Sequence, residues 1–236
     1  MSTQEELENL FKGWKDKHEK EFENNKESIY KKAEEYYKAF APDGPIGREN
    51  QWDNLAKDNK NKVLYILVEP NWEADKDIKD NYFWFQSIVD PQTEEEKEQQ
   101  KKQQGNMILR KLAIAQYLLE SKDYKPENFD LKDFQPKEED FERLKNAAYM
   151  NLKKRGGGAA RIDKKLKDYI EEYNEKIIAE IKILNPDIIV CCGNGIDKRV
   201  KELSQDFAPK VIACHHPSAR EGYEPFFNNL KKNYDI

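Results

Sequence analysis

The sequence predicts an α/β protein: a three-layer α/β/α fold with a central four-stranded parallel sheet. Three observations predict it. The apolar runs "AAYMNL" (147–152), "DIIVCCGNG" (187–195) and "KVIAC" (210–214) are separated by segments of helical period. These runs lack the apolar–polar alternation of a half-exposed strand, which is the pattern of strands covered on both faces. An earlier run, "KVLYILVEP" (62–70), adds a fourth strand, rich in β-branched and aromatic residues and stopped by a proline.

The remaining elements follow from period and punctuation. Residues 3–40 read as helix in two segments, with Leu7, Leu10, Phe11 and Trp14 on one stripe and Phe22, Ile29, Tyr30, Ala33, Tyr36, Tyr37 and Phe40 on the next. Pro42, Gly44, Pro45 and Gly47 then break the chain into a loop. "DNYFWFQSIVD" is ambiguous between short strand and helix, and its aromatic residues read as core when taken together. Residues 92–104 have no apolar face and read as an exposed helix end or a mobile loop. "NMILRKLAIAQYLLES" predicts a helix, and 121–140 a loop. One long helix after the glycine loop carries Leu166, Tyr169, Ile170, Tyr173, Ile177, Ile181 and Leu184 on its apolar face, and "IDKRVKELSQ" a shorter one. The domain reading is an N-terminal helical extension over 1–55 and an α/β domain over 56–236.

Composition narrows the class. Hydrophobic and charged residues each make up 37% of 236 residues, enough for one core beneath a very polar surface. A formal charge of −5 argues against a coat protein for nucleic acid but leaves room for a local basic groove. Cys191, Cys192 and Cys214 all fall in apolar runs without CxxC spacing, so buried thiols in a reducing compartment are expected, with no disulfide framework and no zinc site. No apolar stretch reaches membrane-span length and the acidic N-terminus is unlike a signal peptide, which predicts a cytoplasmic protein with no membrane partner.

In parallel sheets, ligands bind outside the carboxyl ends of the strands. Four predicted strand ends carry polar groups there: Glu69-Pro70-Asn71, Asn151-Leu152-Lys153, Gly193-Asn194-Gly195 and His215-His216-Pro217-Ser218. Between the second and third ends, Lys153, Lys154, Arg155, Arg161, Lys164, Lys165 and Lys167 crowd around Gly156, Gly157 and Gly158, with only Asp163 opposing them. Glycines let backbone N–H groups turn toward an anion, and the lysines attract phosphate, so this loop reads as a polyanion dock.

The segments "LVEPNW" (67–72), "YMNLKKRGGG" (149–158), "NPDIIVCCGNG" (185–195) and "HHPSAR" (215–220) resemble, in order and spacing, the motifs of the uracil-DNA glycosylase superfamily. The resemblance covers roughly residues 60–225. It departs at the first motif, where Val68 and Trp72 stand at positions usually held by glycine. The resemblance implies extrusion of a damaged base from DNA and hydrolysis of its N-glycosidic bond, with no metal or redox cofactor. It implies catalytic roles for Glu69, which would orient or activate water, and His216, which would stabilise charge on the departing base. Asn151 would read the base edge with one donor and one acceptor. Asn71, Trp72, Phe83 and Phe85 are the remaining candidates around the base. Ser218, Lys153, Lys154, Arg155, Gly157 and Arg220 are the candidates for backbone phosphate. The alternative is a nucleic-acid or nucleotide-binding protein of the same fold whose catalysis is lost with the altered first motif.

Overall fold

A computed structural model describes residues 1–24, 40–48, 51–68, 84–103, 106–120, 140–154, 163–193 and 195–234. The parallel strands run where the apolar runs place them: β2 Val63–Leu67, β3 Ala147–Asn151, β4 Ile188–Cys192 and β5 Lys210–Cys214. A short edge strand, β1 Gly44–Pro45, precedes them, and the order across the sheet is β1-β3-β2-β4-β5. Every residue of β2, β3 and β4 is buried. The period of two is still present, but it sorts side chains between two cores. Val63, Tyr65 and Leu67 enter one core with Leu112, Ala115, Phe226 and Phe227, while Leu64 and Ile66 enter the other with Leu7, Trp14, Ile177 and Val200.

The sheet differs from the expected one in its edge. It is five-stranded and mixed, because β1 pairs antiparallel with β3 (Gly44 with Tyr149, Pro45 with Ala148). The loop punctuation at 42–47 hid this strand. Proline is tolerated at a sheet edge, where its missing N–H breaks no ladder. Gly44 sits at φ 141°, a conformation side chains rarely adopt, and a Cβ there would lie 2.8 Å from Leu7 Cδ1.

One core is closed by α5 Met107–Leu119 and α10 Tyr223–Tyr234, the other by α1 Thr3–Asn24, α7 Asp163–Glu172, α8 Asn174–Leu184 and α9 Ile196–Leu203. Short helices α2 Gln51–Asn54, α3 Trp84–Val89 and α6 Asp140–Arg143 accompany α4 Glu94–Gln103, and a 3₁₀ turn at Leu144–Asn146 leads into β3. The ambiguous aromatic stretch is therefore helical over 84–89. The apolar-free stretch is helical over Glu94–Gln103, with a reciprocal cap. Thr93 Oγ1 accepts from the Glu96 N–H at 3.1 Å, and the Glu96 carboxylate accepts from the N–H groups of Gln92 and Thr93 at 2.7 and 3.1 Å. The predicted long helix divides into α7 and α8 at Tyr173, whose ring stacks on Tyr169 and Trp14. The second half of the expected N-terminal helix and the loop at 121–139 lie outside the described residues.

Helix α1 is held to the body by a charged interior. Lys154, just beyond β3, is fully buried, as are its two acidic partners Asp43 and Glu180. Its ammonium donates to the Asp43 carboxylate and, at 2.8 Å, to Glu180 Oε1. The rings of Phe11 and Trp14 on α1 lie 5.5 and 5.4 Å from the same nitrogen, close enough for cation–π attraction. Tyr169 Oη accepts the Lys154 backbone N–H at 3.1 Å and lies 3.0 Å from His18 Nε2. Burial and the neighbouring Asp43 push Glu180 well above the usual carboxylate range, with Lys154 pulling the other way. The protonated form of Glu180 is thereby favoured.

Removing the cation strands an internal carboxylate. Lys154→Ala is expected to lower folding stability by about 3–5 kcal/mol, the usual cost of breaking a buried ion pair from one side. Urea unfolding of the two proteins measures it; a loss below about 1 kcal/mol, the range of a surface pair, contradicts this account.

Candidate functional site

The connections of the sheet locate its crevice. Strand β3 lies on one side of β2, and the chain then crosses back to place β4 and β5 on the other. The order reverses between β2 and β4, and in open parallel sheets that reversal opens a crevice at the carboxyl ends. The described residues that reach this edge are Val68 after β2, Asn151 to Lys153 at β3, Gly193 after β4, and His215 and His216 after β5.

Asn151 ends β3 opposite Leu67 and shares the sheet face of Ala147 and Tyr149. It is 5% exposed. The segment that carries Asp43 runs beside it, pinned by Ala41 N–H to Lys154 O at 2.8 Å and Ile46 N–H to Ala147 O at 2.9 Å. Asp43 Oδ2 accepts the Asn151 backbone N–H at 2.6 Å and lies 3.5 Å from its Nδ2. A carboxylate without a proton offers only acceptors, so this contact selects which end of the amide is the NH₂.

At the opposite end, β5 runs into a tightly bonded loop. Ser218 donates its backbone N–H to His216 Nδ1 at 3.2 Å, and Ser218 Oγ lies 2.6 Å from the same nitrogen. A backbone N–H only donates, so Nδ1 is the acceptor and Nε2 carries the proton of the neutral ring. His216 is thus set as a hydrogen-bond donor. Burial first, and the Lys111 ammonium second, hold its pKa below the ordinary 6.5, which favours that neutral form. His215 takes a different partner: its Nδ1 lies 2.8 and 2.9 Å from the two carboxylate oxygens of Glu221, and its backbone N–H donates to Asn229 Oδ1 at 3.1 Å.

The outer candidates distribute unevenly. Ser218 and Arg220 are exposed, with the Ser218 hydroxyl engaged by the His216 ring. Lys153 is partly buried at the strand end, its backbone N–H donating to Val68 O at 3.0 Å. Lys154 does not face a phosphate: its ammonium is enclosed with Asp43 and Glu180 because the chain at 40–45 covers it. Phe85, on α3, is 4% exposed and packs its ring 4.2 Å from that of Tyr149, the β3 residue two positions before Asn151, which makes Phe85 a core residue. Glu69, Asn71, Trp72, Phe83, Arg155 and Gly157 lie outside the described residues.

The edge therefore brings Asn151 and His216 to the two flanks of the crevice. Their strands are three spacings apart, about 14 Å at the backbone. The residues that position them escaped the sequence reading. Asp43 lies among the turn residues at 42–47. Lys111 is a charge amid the apolar run "ILRKLAIA", a visible signal that a polar group lies inside. Comparison with protein-family models, curated proteins and solved structures finds no match for this chain.

The depressed His216 has a linked effect on stability. As pH falls through about 6.5, the unfolded chain takes up the histidine proton before the folded one does, so this group's contribution to stability falls with pH. His216→Gln removes the term. The stability difference between wild type and variant, from urea unfolding between about pH 7.5 and 5.5, is expected to shift against the wild type as pH drops. A pH-independent difference contradicts it.

Proposed function

We propose that this protein is a uracil-DNA glycosylase-like hydrolase that removes a damaged base from DNA. The observation that carries the reading is the fixed tautomer of His216, whose Nε2–H is available as a donor at the crevice while Nδ1 is occupied by Ser218. When the bond between C1′ of the sugar and the base nitrogen breaks, its electron pair leaves with the base and charge gathers on a base carbonyl. A pre-oriented neutral donor stabilises that charge without itself losing a proton. Asn151 supplies the second point of contact, its amide oriented by Asp43 to read one edge of the ring.

The other roles follow the resemblance. Water adds to C1′ of the sugar, and Glu69 is assigned its orientation and the acceptance of its proton. Lys153, Arg155 and Arg220 are assigned the flanking phosphates, with Ser218 shared between phosphate and the His216 ring. A second reading is favoured by one feature: Val68 is the residue at the β2 end, and its Cγ2 lies 3.5 Å from where a Cβ on Gly193 would stand. A side chain there narrows the backbone approach that glycine leaves open, and this reading makes the chain a nucleic-acid or nucleotide binder without turnover.

Strands carrying uracil, hypoxanthine or a mismatched thymine distinguish the two readings. The hydrolase reading expects free base to be released, His216→Ala to slow release by about 10²–10³-fold, the usual loss of one oxyanion-type donor, and Asn151→Ala to abolish it with the fold intact. Salt-dependent binding of all strands with no base released replaces it with the second reading.

A further inference from the structure

Lys111 lies near the middle of α5, beneath the loop that joins β5 to α10. It is fully buried. Its Nζ donates to the backbone carbonyls of Ala219 at 3.1 Å and Glu221 at 2.9 Å, and lies 5.3 Å from the Phe226 ring centroid. Helix α5 is itself docked on β2, where Tyr65 Oη lies 3.2 Å from Gln116 Oε1. An ammonium held by carbonyl dipoles is an expensive core residue; methionine would fill the same stem without the desolvation cost. What methionine cannot do is bind two carbonyls of the loop that carries His216.

We infer that Lys111 is a positioning residue for His216: by clamping Ala219 and Glu221 from inside the core, it holds the 215–221 loop in the one geometry that leaves His216 Nε2–H as the outward donor. This deepens the proposed function and rests on it only for the use made of that donor. The clamp works through adjoining contacts. Ala219 N–H donates to His216 O at 2.8 Å, so the residue whose carbonyl Lys111 holds is bonded directly to the histidine backbone. Glu221, held by its carbonyl, places its carboxylate on His215. Both histidines are therefore tied, through one residue each, to a single internal cation.

The same cation also acts through space. Lys111 comes from the helix packed beneath, and the ring's own loop carries His215, Arg220 and Glu221. Cys214, at the strand end, has its thiol pushed up to about 12 by burial and stays neutral. Among these groups, the Lys111 ammonium is the one that, after burial, opposes protonation of His216.

Histidine nitrogen NMR on the intact chain reads both effects without reference to activity. In the wild type, His216 is expected to show a protonated Nε2 and an unprotonated Nδ1. In Lys111→Met the two nitrogens should move toward an averaged, mixed-tautomer signal, the His216 titration midpoint should rise toward 6.5, and amide exchange of residues 215–221 should accelerate at least tenfold. An unchanged tautomer, midpoint and exchange rate in the folded variant overturn the inference. Should Lys111→Met not fold, the wild-type ammonium decides: a slowly exchanging Lys111 signal with scalar coupling to the Ala219 and Glu221 carbonyl carbons supports the clamp, and a solvent-averaged signal overturns it. Base release tests the proposed function separately, so either idea can fail alone.

Discussion

A lysine ammonium withdrawn from water must be given acceptors, and the carboxyl edge of this sheet is organised around two of them. Lys154 is neutralised by Asp43 beside the end of β3, and Lys111 is solvated by carbonyls of the loop after β5. Each fixes backbone that would otherwise be a free surface loop. Asp43, drawn to Lys154, lies against Asn151; Ala219, drawn to Lys111, lies against His216. The two side chains proposed to face one base are thus braced from inside the protein, at opposite flanks of the crevice. Precision of this kind is what a reacting geometry requires, since small displacements of an aligned group are costly.

The two braces differ in chemistry, and the difference matters. Lys154 meets a carboxylate in an aromatic surround, which makes it an anchor for the N-terminal helix as much as for the site. Lys111 meets only dipoles at hydrogen-bonding distance, so its positive field is less fully cancelled nearby. That field disfavours a second proton on His216. A neutral imidazole suits a donor that must stabilise a departing anion without giving up its proton.

Much of the fold was legible because three strands, β2, β3 and β4, are buried throughout, while β5 at the sheet edge is buried at Ile212 and Cys214 and partly exposed elsewhere. Strands β2 to β5 each form within one of the four apolar runs, whose shortness and β-branched content between helical segments favour a covered strand over a helix. The edge strand at Gly44–Pro45 was illegible because its two residues are also turn residues, and only pairing with Tyr149 and Ala148 makes them a strand. The helix at 94–103 carries a readable cap in Thr93 and Glu96, but its polarity all round masked it. The C-terminal helix carries Phe226, Phe227 and Leu230 on its buried face after a proline in its first turn, a position where the missing N–H costs no helical bond. At the site, the positions of Asn151 and His216 at strand ends were legible, whereas the partners that orient them were not. Asp43 reaches Asn151, and Lys111 reaches Ala219, each across 108 residues of sequence, too far to be sought by spacing. Lys154 was misread for a related reason: a lysine in a glycine-rich basic run looks solvated until chain from elsewhere covers it.

The most direct test of the account is whether one ring touches both flanks of the crevice. A nitrogen-resolved NMR titration of the intact protein with a short single strand bearing one uracil, against the same strand bearing cytosine, measures this. The account predicts that the Asn151 side-chain amide and the His216 imidazole shift together, with the uracil strand and at the same strand concentration. Binding that moves one of these groups and leaves the other at its free position, or moves both equally with cytosine, contradicts it.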